Sequence, residues 1–189
     1  EIRYTLDGSV PDSRSPLYTA PLLISVTTGL SARVFDPGGC FPSPVAAHTY
    51  FIRERVSLPA ISIVSDPRGL WDEETGIHVP GANYDAFEGR ANYLEDWERP
   101  ASVEFYEKDG TLTFRMNAGI KIQGGSGRDY DQKSLSVFAR KKYGRKDIPH
   151  RLFPNEATEA FRSFILRNDG CCDKSRTLFR DALLHTLLR

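Results

Sequence analysis

The sequence predicts an α+β fold in which short strands come first and a helix comes last. Most of the 189 residues fall in short stretches of alternating apolar and polar side chains, the two-residue period of a strand. A helical period begins near Ser175, where Asp173 or Ser175 can cap the first turn. Its apolar stripe consists of Leu178, Phe179, Ala182, Leu183 and Leu187. Strands followed by a helix are typical of the α+β class.

The first 52 residues contain evenly spaced strand patterns separated by turn residues. Apolar side chains alternate over residues 2–6, and Asp7-Gly8 then supplies a turn in which glycine accepts a positive φ. The pattern repeats over residues 21–26, 30–35 and 46–52. Short strands at this spacing favour a β-sandwich.

One run in this segment carries a family resemblance. The run Ile2-Arg3-Tyr4-Thr5-Leu6-Asp7-Gly8-Ser9, with Pro11, Ser15, Tyr18, Pro21 and Thr27-Thr28, resembles the immunoglobulin-like module at the C-terminus of chitobiases and β-hexosaminidases. In that family one or two strands precede the pattern, so we expect residues 1–53 to be a module truncated at its N-terminus. The resemblance implies an architectural role in a secreted protein and not sugar hydrolysis. Tyr4, Tyr18 and Tyr50 form a sugar-stacking surface in one interpretation and ordinary packing in the other.

A polar stretch over residues 53–57 marks the expected boundary to a second domain, residues 58–189. Strands are predicted at 61–64 and 76–79, with a turn begun by Asp66-Pro67 between them and a long loop over 80–99. A β-meander follows, with strands near Val103, over 111–123 and from Lys133, and a further strand over 161–167. Asp109-Gly110 supplies the first turn of the meander.

A glycine-rich turn within the meander is the candidate site. Gly124, Gly125, Ser126, Gly127 and Arg128 follow a strand, and Lys133 begins the next one. Clustered glycines let backbone N–H groups approach a phosphate closely, while arginine grips phosphate oxygens and lysine supplies a point charge. The alternative is a plain hairpin turn, because the spacing matches neither the Walker pattern nor GxGxxG.

The second domain also contains a series of motifs in a fixed order. They are Leu58-Pro59, Gly76-Ile77, Asp96-Trp97-Glu98-Arg99-Pro100, Val103-Glu104-Phe105, Asp109-Gly110, the run from Ala118 through Arg128, Gln132-Lys133-Ser134-Leu135, Leu166-Arg167-Asn168, Asp173 and Phe179-Arg180-Asp181-Ala182-Leu183. This series resembles the N-terminal half of the CotH family, which includes atypical protein kinases associated with spore coats. The fold expected from the resemblance is an incomplete atypical kinase-like α+β domain.

The resemblance implies ATP and a divalent metal, Mg or Mn, as cofactors of the complete protein, and phosphoryl transfer to a protein substrate. In the family, the acidic residues that bind metal and catalyse transfer lie beyond the equivalent of Arg189, so no catalytic residue and no metal ligand is assigned. Asp169, Asp173 and Asp181 are the local carboxylates. Asp173 as a helix cap and Asp181 as an ion-pair partner are the favoured interpretations.

The charge balance and the length of the apolar runs limit the kinds of partner that the chain can have. Lys plus Arg and Asp plus Glu number 25 each, so no net field attracts nucleic acid. No apolar run is long enough to cross a bilayer. The leading hypothesis is a fragment of a secreted or surface CotH-family protein that holds nucleotide phosphates. The rival hypothesis is a non-catalytic extracellular module for adhesion to a cell-surface component, cell wall or glycan.

Overall fold

The computed structural model describes residues 1–36, 38, 41–54, 57–152 and 160–168, and most of them lie in two antiparallel sheets or their connections. The smaller sheet has the order β1-β2-β3. The larger sheet has five strands that are neighbours in chain order, β4-β5-β6-β7-β8. The bounds are β1 Ile2–Thr5, β2 Thr28–Val34, β3 Ala46–Tyr50, β4 Ala60–Ser65, β5 Arg99–Tyr106, β6 Leu112–Gln123, β7 Ser134–Phe138 and β8 Ser163–Leu166.

The α+β prediction is wrong, and no kinase-like α+β domain is evident, because the described chain is mostly β. The α-helix found within the described ranges is a single turn, α1 (Pro67–Trp71), which Asp66 caps at its N-terminus. Short 3₁₀ turns occur at Asn92–Leu94, Ser126–Asp129 and Lys141–Tyr143. Elsewhere aspartates such as Asp72 and Asp85 accept backbone N–H bonds two and three residues ahead, which stabilises turns in place of helices. The helix expected from Ser175 lies outside the described residues.

The hydrophobic core lies on one face of the five-stranded sheet. Alternate side chains of β5, β6 and β7 point to that face, and Val103, Ala118, Ile120 and Val137 are fully buried there. The loops between strands supply the cover, since Ile77 and Ile148 join the same buried cluster. The opposite face of the sheet carries the polar side chains, and the candidate site lies at its β6–β7 end.

Two predicted strands are absent from the described chain. Residues 21–26 pair with no neighbouring strand among the described residues, and Leu23 is 93% exposed. Residues 76–79 close the loop after α1, because the N–H groups of Ile77 and His78 donate to Gly69 and Leu70. The turn at Gly8, with φ of 83°, and the meander β5-β6-β7 are confirmed.

The three-stranded sheet packs on the polar face of β4 and β5 through β3. Thr49 Oγ1 of β3 lies 2.6 Å from Ser62 Oγ of β4. The N–H of Thr49 donates to Glu104 of β5 at 2.9 Å. The expected domain boundary falls between β3 and β4, and the division at 53–58 stays a prediction.

Candidate functional site

The glycine-rich turn joins β6 to β7 and is open on its outer side. Gly124 has φ of 121°, a conformation that side chains with a Cβ rarely adopt, so the turn requires glycine there. A Cβ added at Gly124 or Gly125 would meet no atom within 4 Å. The turn therefore offers backbone that a ligand can approach without obstruction.

Arg128 fastens this turn to an upstream segment. Its Nε donates to the carbonyl of Gly124 at 2.7 Å, and its Nη1 donates to the carbonyl of Leu94 at 2.7 Å. Its Nη2 lies 3.6 Å from Asp96 Oδ1. Leu94 ends the 3₁₀ turn Asn92–Leu94, so Arg128 ties the glycine turn to the long loop before β5. Most of its donors already have partners, which leaves Arg128 better suited to positioning than to gripping a ligand bidentately.

Lys133 lies beside the same loop with its charge only partly compensated. Its Nζ donates to the carbonyl of Tyr130 at 2.7 Å and lies 4.4 Å from the centre of the Tyr93 ring. Burial lowers the pKa of Lys133 below its ordinary value, and the nearby charges of Asp129 and Asp131 oppose that shift without cancelling it. An added anion would therefore stabilise the charged form of Lys133.

A surface ion pair borders the turn on β6. Lys121 Nζ donates to Asp96 Oδ1 at 2.9 Å, and this bond is the main cause of the lowered pKa of Asp96. The Asp96 side chain is 77% exposed, so water screens the pair strongly. An incoming polyanion would compete with Asp96 for Lys121 and Arg128.

Paired side chains hold the base of β7 in place. Ser134 Oγ donates to Asn168 Oδ1 at 2.8 Å, and the Asn168 amide donates to the carbonyl of Gln132. Ser136 Oγ donates to Gln123 Oε1 at 2.8 Å. These bonds connect β6, β7 and the residues after β8 beside Lys133.

The predicted site residues Gly124, Gly125, Ser126, Gly127, Arg128 and Lys133 all lie in or next to this one turn. Their phosphate-binding role stays a prediction. Asp169, Asp173 and Asp181 lie outside the described residues. Within the described part of the chain, no group of three His, Cys, Asp or Glu residues could hold a metal ion. The metal that the resemblance implies stays a prediction.

A buried ionic cluster joins the two sheets, and no local pattern in the sequence predicts it. Glu104 of β5 is 1% exposed and accepts bonds from the Thr49 N–H at 2.9 Å, the Tyr106 hydroxyl at 2.8 Å and Arg115 Nε at 2.6 Å. Its Oε1 also lies 2.7 Å from His48 Nδ1, which in turn lies 2.8 Å from Arg115 Nη2. Burial alone would raise the pKa of Glu104, but these bonds outweigh it and the pKa lies below the ordinary value. Burial and the Glu104 charge raise the pKa of Tyr106.

A second feature lies on the outer face of the small sheet. Tyr4, Tyr18 and Tyr50 line one groove of about 390 Å³, together with apolar side chains such as Leu30. Tyr18 and Tyr50 are both exposed. The structure thus brings together the three tyrosines that the sequence offered as a sugar-stacking surface.

Comparison with known proteins gives a match for the first part of the chain. Residues 1–50 match the family model described as Fn3 associated, a module of immunoglobulin-like, β-sandwich type. No curated protein and no solved structure matches the chain. Among the described residues, no helix is long and apolar enough to span a bilayer. The match to the Fn3-associated model supports the immunoglobulin-like assignment of residues 1–50 and gives no support to the CotH resemblance of residues 58–189.

Proposed function

We propose that this chain is part of a secreted or surface protein of the CotH family, in which the glycine-rich turn holds the phosphates of a nucleotide for phosphoryl transfer to protein. The Fn3-associated match of residues 1–50 supports a modular extracellular protein. The ordered motifs of residues 58–189 support the CotH assignment.

The position of Lys133 is the observation that carries the proposal. Its ammonium group bonds to the carbonyl of Tyr130, which ends the 3₁₀ turn Ser126–Asp129 directly after the open glycines, and burial has lowered its pKa. A phosphate oxygen placed on the open side of the turn would supply the missing negative charge in a partly desolvated position, where charge-assisted bonds are strongest. In this arrangement Lys133 contacts phosphate, and Arg128 positions the turn by holding it to Leu94.

The test is a calorimetric titration of the 189-residue chain with ATP, with and without Mg²⁺. Lys133→Met removes the charge but keeps an apolar side chain over the Tyr93 ring, so it isolates the electrostatic contact. One charge-assisted contact is worth about 1.5 to 3 kcal/mol, so we expect ATP affinity to fall about tenfold or more. Lys133→Arg should retain most of the affinity.

Lys108→Met is the matched control. Lys108 lies in the turn between β5 and β6, at the other end of β6 from the glycine turn. Its loss should leave the dissociation constant for ATP unchanged. Equal affinity in the wild type and Lys133→Met would remove Lys133 from the site, and an absence of ATP binding to the wild-type chain would contradict the proposal itself.

The tyrosine groove favours a second candidate function, a non-catalytic module for glycan binding or adhesion. Exposed aromatic rings stack on the apolar faces of sugars, and three tyrosines line this groove. Titration with chito-oligosaccharides and cello-oligosaccharides, monitored by tyrosine fluorescence, tests the idea. Tyr18→Ala should weaken glycan binding severalfold, whereas Tyr84→Ala, an exposed tyrosine in the loop before β5, should not. Identical titration curves for the two variants would exclude the groove.

A further inference from the structure

We propose that the rings of Trp71 and His78 form a subsite for the base of the nucleotide whose phosphates are held at Lys133. The inference rests on the proposed function, because Lys133 fixes one end of the ligand and these rings hold the other end. Trp71 ends α1 and is 58% exposed, and the centre of its ring lies 4.8 Å from that of His78. We call these two side chains the aromatic pair.

The aromatic pair and Lys133 lie on segments that are bonded to each other. The N–H of Asn92 donates at 2.8 Å to the carbonyl of Pro80, which is two residues after His78. Tyr93 follows Asn92 directly, and Lys133 Nζ lies 4.4 Å from the centre of the Tyr93 ring. The pKa of His78 is lowered mainly by burial and further by the charge of Lys133. Phosphates at Lys133 would therefore place the rest of a nucleotide beside the aromatic pair.

The His78 ring is available to bond a ligand. It contacts the Trp71 ring, and its nitrogen atoms have no hydrogen-bond partner within the described part of the chain. Because its pKa is lowered, the ring is neutral at pH 7 and carries one N–H donor and one nitrogen acceptor. The edge of a nucleotide base presents groups of the same two kinds. His78 can therefore pair with the edge of a base that stacks on Trp71.

The charges next to Trp71 favour the base over the phosphates at this position. Asp72, Glu73 and Glu74 follow Trp71 directly in the chain, and all three are exposed. Their carboxylates would repel a phosphate group, whereas a base is uncharged at neutral pH and stacks readily on an aromatic ring. The positive charge that the phosphates require lies at Lys133. The ligand is thus oriented with its phosphates at Lys133 and its base on Trp71.

Inorganic tripolyphosphate separates the two ends of the ligand, because it has the phosphate chain of ATP without the nucleoside. In calorimetric titrations of the 189-residue chain, Trp71→Ala should weaken ATP binding about fivefold or more, the loss expected for one base–aromatic stack. It should leave tripolyphosphate binding unchanged, and His78→Ala should show the same selectivity. Lys133→Met should weaken the binding of both ligands. Phe87→Ala is the matched control, because Phe87 is a fully exposed aromatic residue in the loop before β5, and it should change neither affinity.

Tryptophan fluorescence gives a second readout. The chain has two tryptophans, and the other one, Trp97, packs against the hydrophobic core. A base stacked on Trp71 should quench its emission, so ATP should lower the fluorescence of the wild type and tripolyphosphate should not. Trp71→Phe keeps an aromatic ring for stacking. It should abolish the quenching by ATP and retain most of the ATP affinity.

The outcomes separate this inference from the proposed function. Unchanged ATP affinity in Trp71→Ala, together with weaker binding of both ligands in Lys133→Met, would overturn the base subsite and leave the phosphate site standing. Equal weakening of ATP and tripolyphosphate binding by Trp71→Ala would show that Trp71 supports the fold and does not contact the base. If Trp71→Ala fails to fold, the quenching decides, and ATP binding to the wild type without quenching would overturn the inference. Absence of binding of either ligand to the wild type would contradict the proposed function and the inference together.

Discussion

Replacement of Glu104 by glutamine should destabilise the protein strongly although it removes no volume. Three donors and the His48 ring converge on the Glu104 carboxylate, and an amide can accept from only one side of its head group. Breaking a buried ion pair costs about 3 to 5 kcal/mol. The side chains of Arg115 and His48 are 43% and 31% exposed, so water recovers part of that loss. We therefore expect Glu104→Gln to lower the free energy of unfolding by about 2 to 4 kcal/mol.

Urea denaturation followed by circular dichroism measures this cost. Glu107→Gln is the control, because Glu107 is a partly exposed glutamate at the end of the same strand and should cost less than about 1 kcal/mol. A double-mutant cycle with Arg115→Met should give a coupling energy of about 1 kcal/mol or more, since the two residues are in direct contact. A loss below about 1 kcal/mol for Glu104→Gln would show that the cluster behaves as a surface ion pair, which would refute the reasoning.

The remaining predictions concern acid, the core and two glycines. The folded-state pKa of Glu104 lies below its ordinary 4.5, so its stabilisation is present above pH 4.5 and disappears as the pH falls through the lowered value. Glu104→Gln should therefore reduce the loss of unfolding free energy that the protein shows as the pH falls below 4.5. An equal loss in the wild type and the variant would contradict the lowered pKa of Glu104. Ile120→Ala should cost about 2 to 5 kcal/mol by calorimetry because Ile120 is fully buried, and a cost under 1 kcal/mol would mean that the core is loosely packed. Gly76→Ala should cost about 1 to 3 kcal/mol because its Cβ would lie 2.6 Å from backbone atoms of the preceding turn. Gly69→Ala is the comparison, since its Cβ meets only a flexible arginine side chain at 3.0 Å, and equal melting temperatures for the two variants would contradict the packing argument.

The meander could be predicted from the sequence because its signals are local. Alternation over β5 and β6 identifies their core faces, and Asp109-Gly110 identifies the turn between them, where Gly110 has φ of 83°. Alternation alone does not show whether a segment has a neighbour to pair with. Residues 21–26 alternate equally well, yet no described strand lies beside them.

The helical part of the expected fold rested on a family resemblance and on the apolar stripe that follows residue 175. Neither depends on the segments that the structure describes. Within the described ranges, the polar stretches between strands form loops held by aspartate-capped turns. The sequence also could not indicate that a second sheet covers one half of the polar face. Glu104 alternates with Val103 and Phe105 and so reads as solvent-facing, while its partners His48 and Thr49 lie more than 50 residues upstream.

The candidate site was predictable in composition but not in its contacts. The glycine cluster and Lys133 stand out in the sequence because their spacing is local. The segment that supports them is not local, since Arg128 bonds to Leu94 and Lys133 lies over Tyr93. Both contacts depend on the path of the loop before β5, and the sequence of that loop has no periodic pattern that would predict its path.

The polar face of β6 connects the features described above in a single row. Every second side chain from Arg115 to Gln123 points to this face, a distance of about 27 Å along the strand. Arg115 belongs to the ionic cluster between the sheets, Asn117 donates to the carbonyl of Val45 just before β3, and Lys121 borders the glycine turn. Because sites separated by more than about 7 to 10 Å with no shared partners act additively, loss of the Glu104 cluster should not change ATP affinity in molecules that remain folded. The contact between the sheets and the proposed phosphate site can therefore be tested independently of each other.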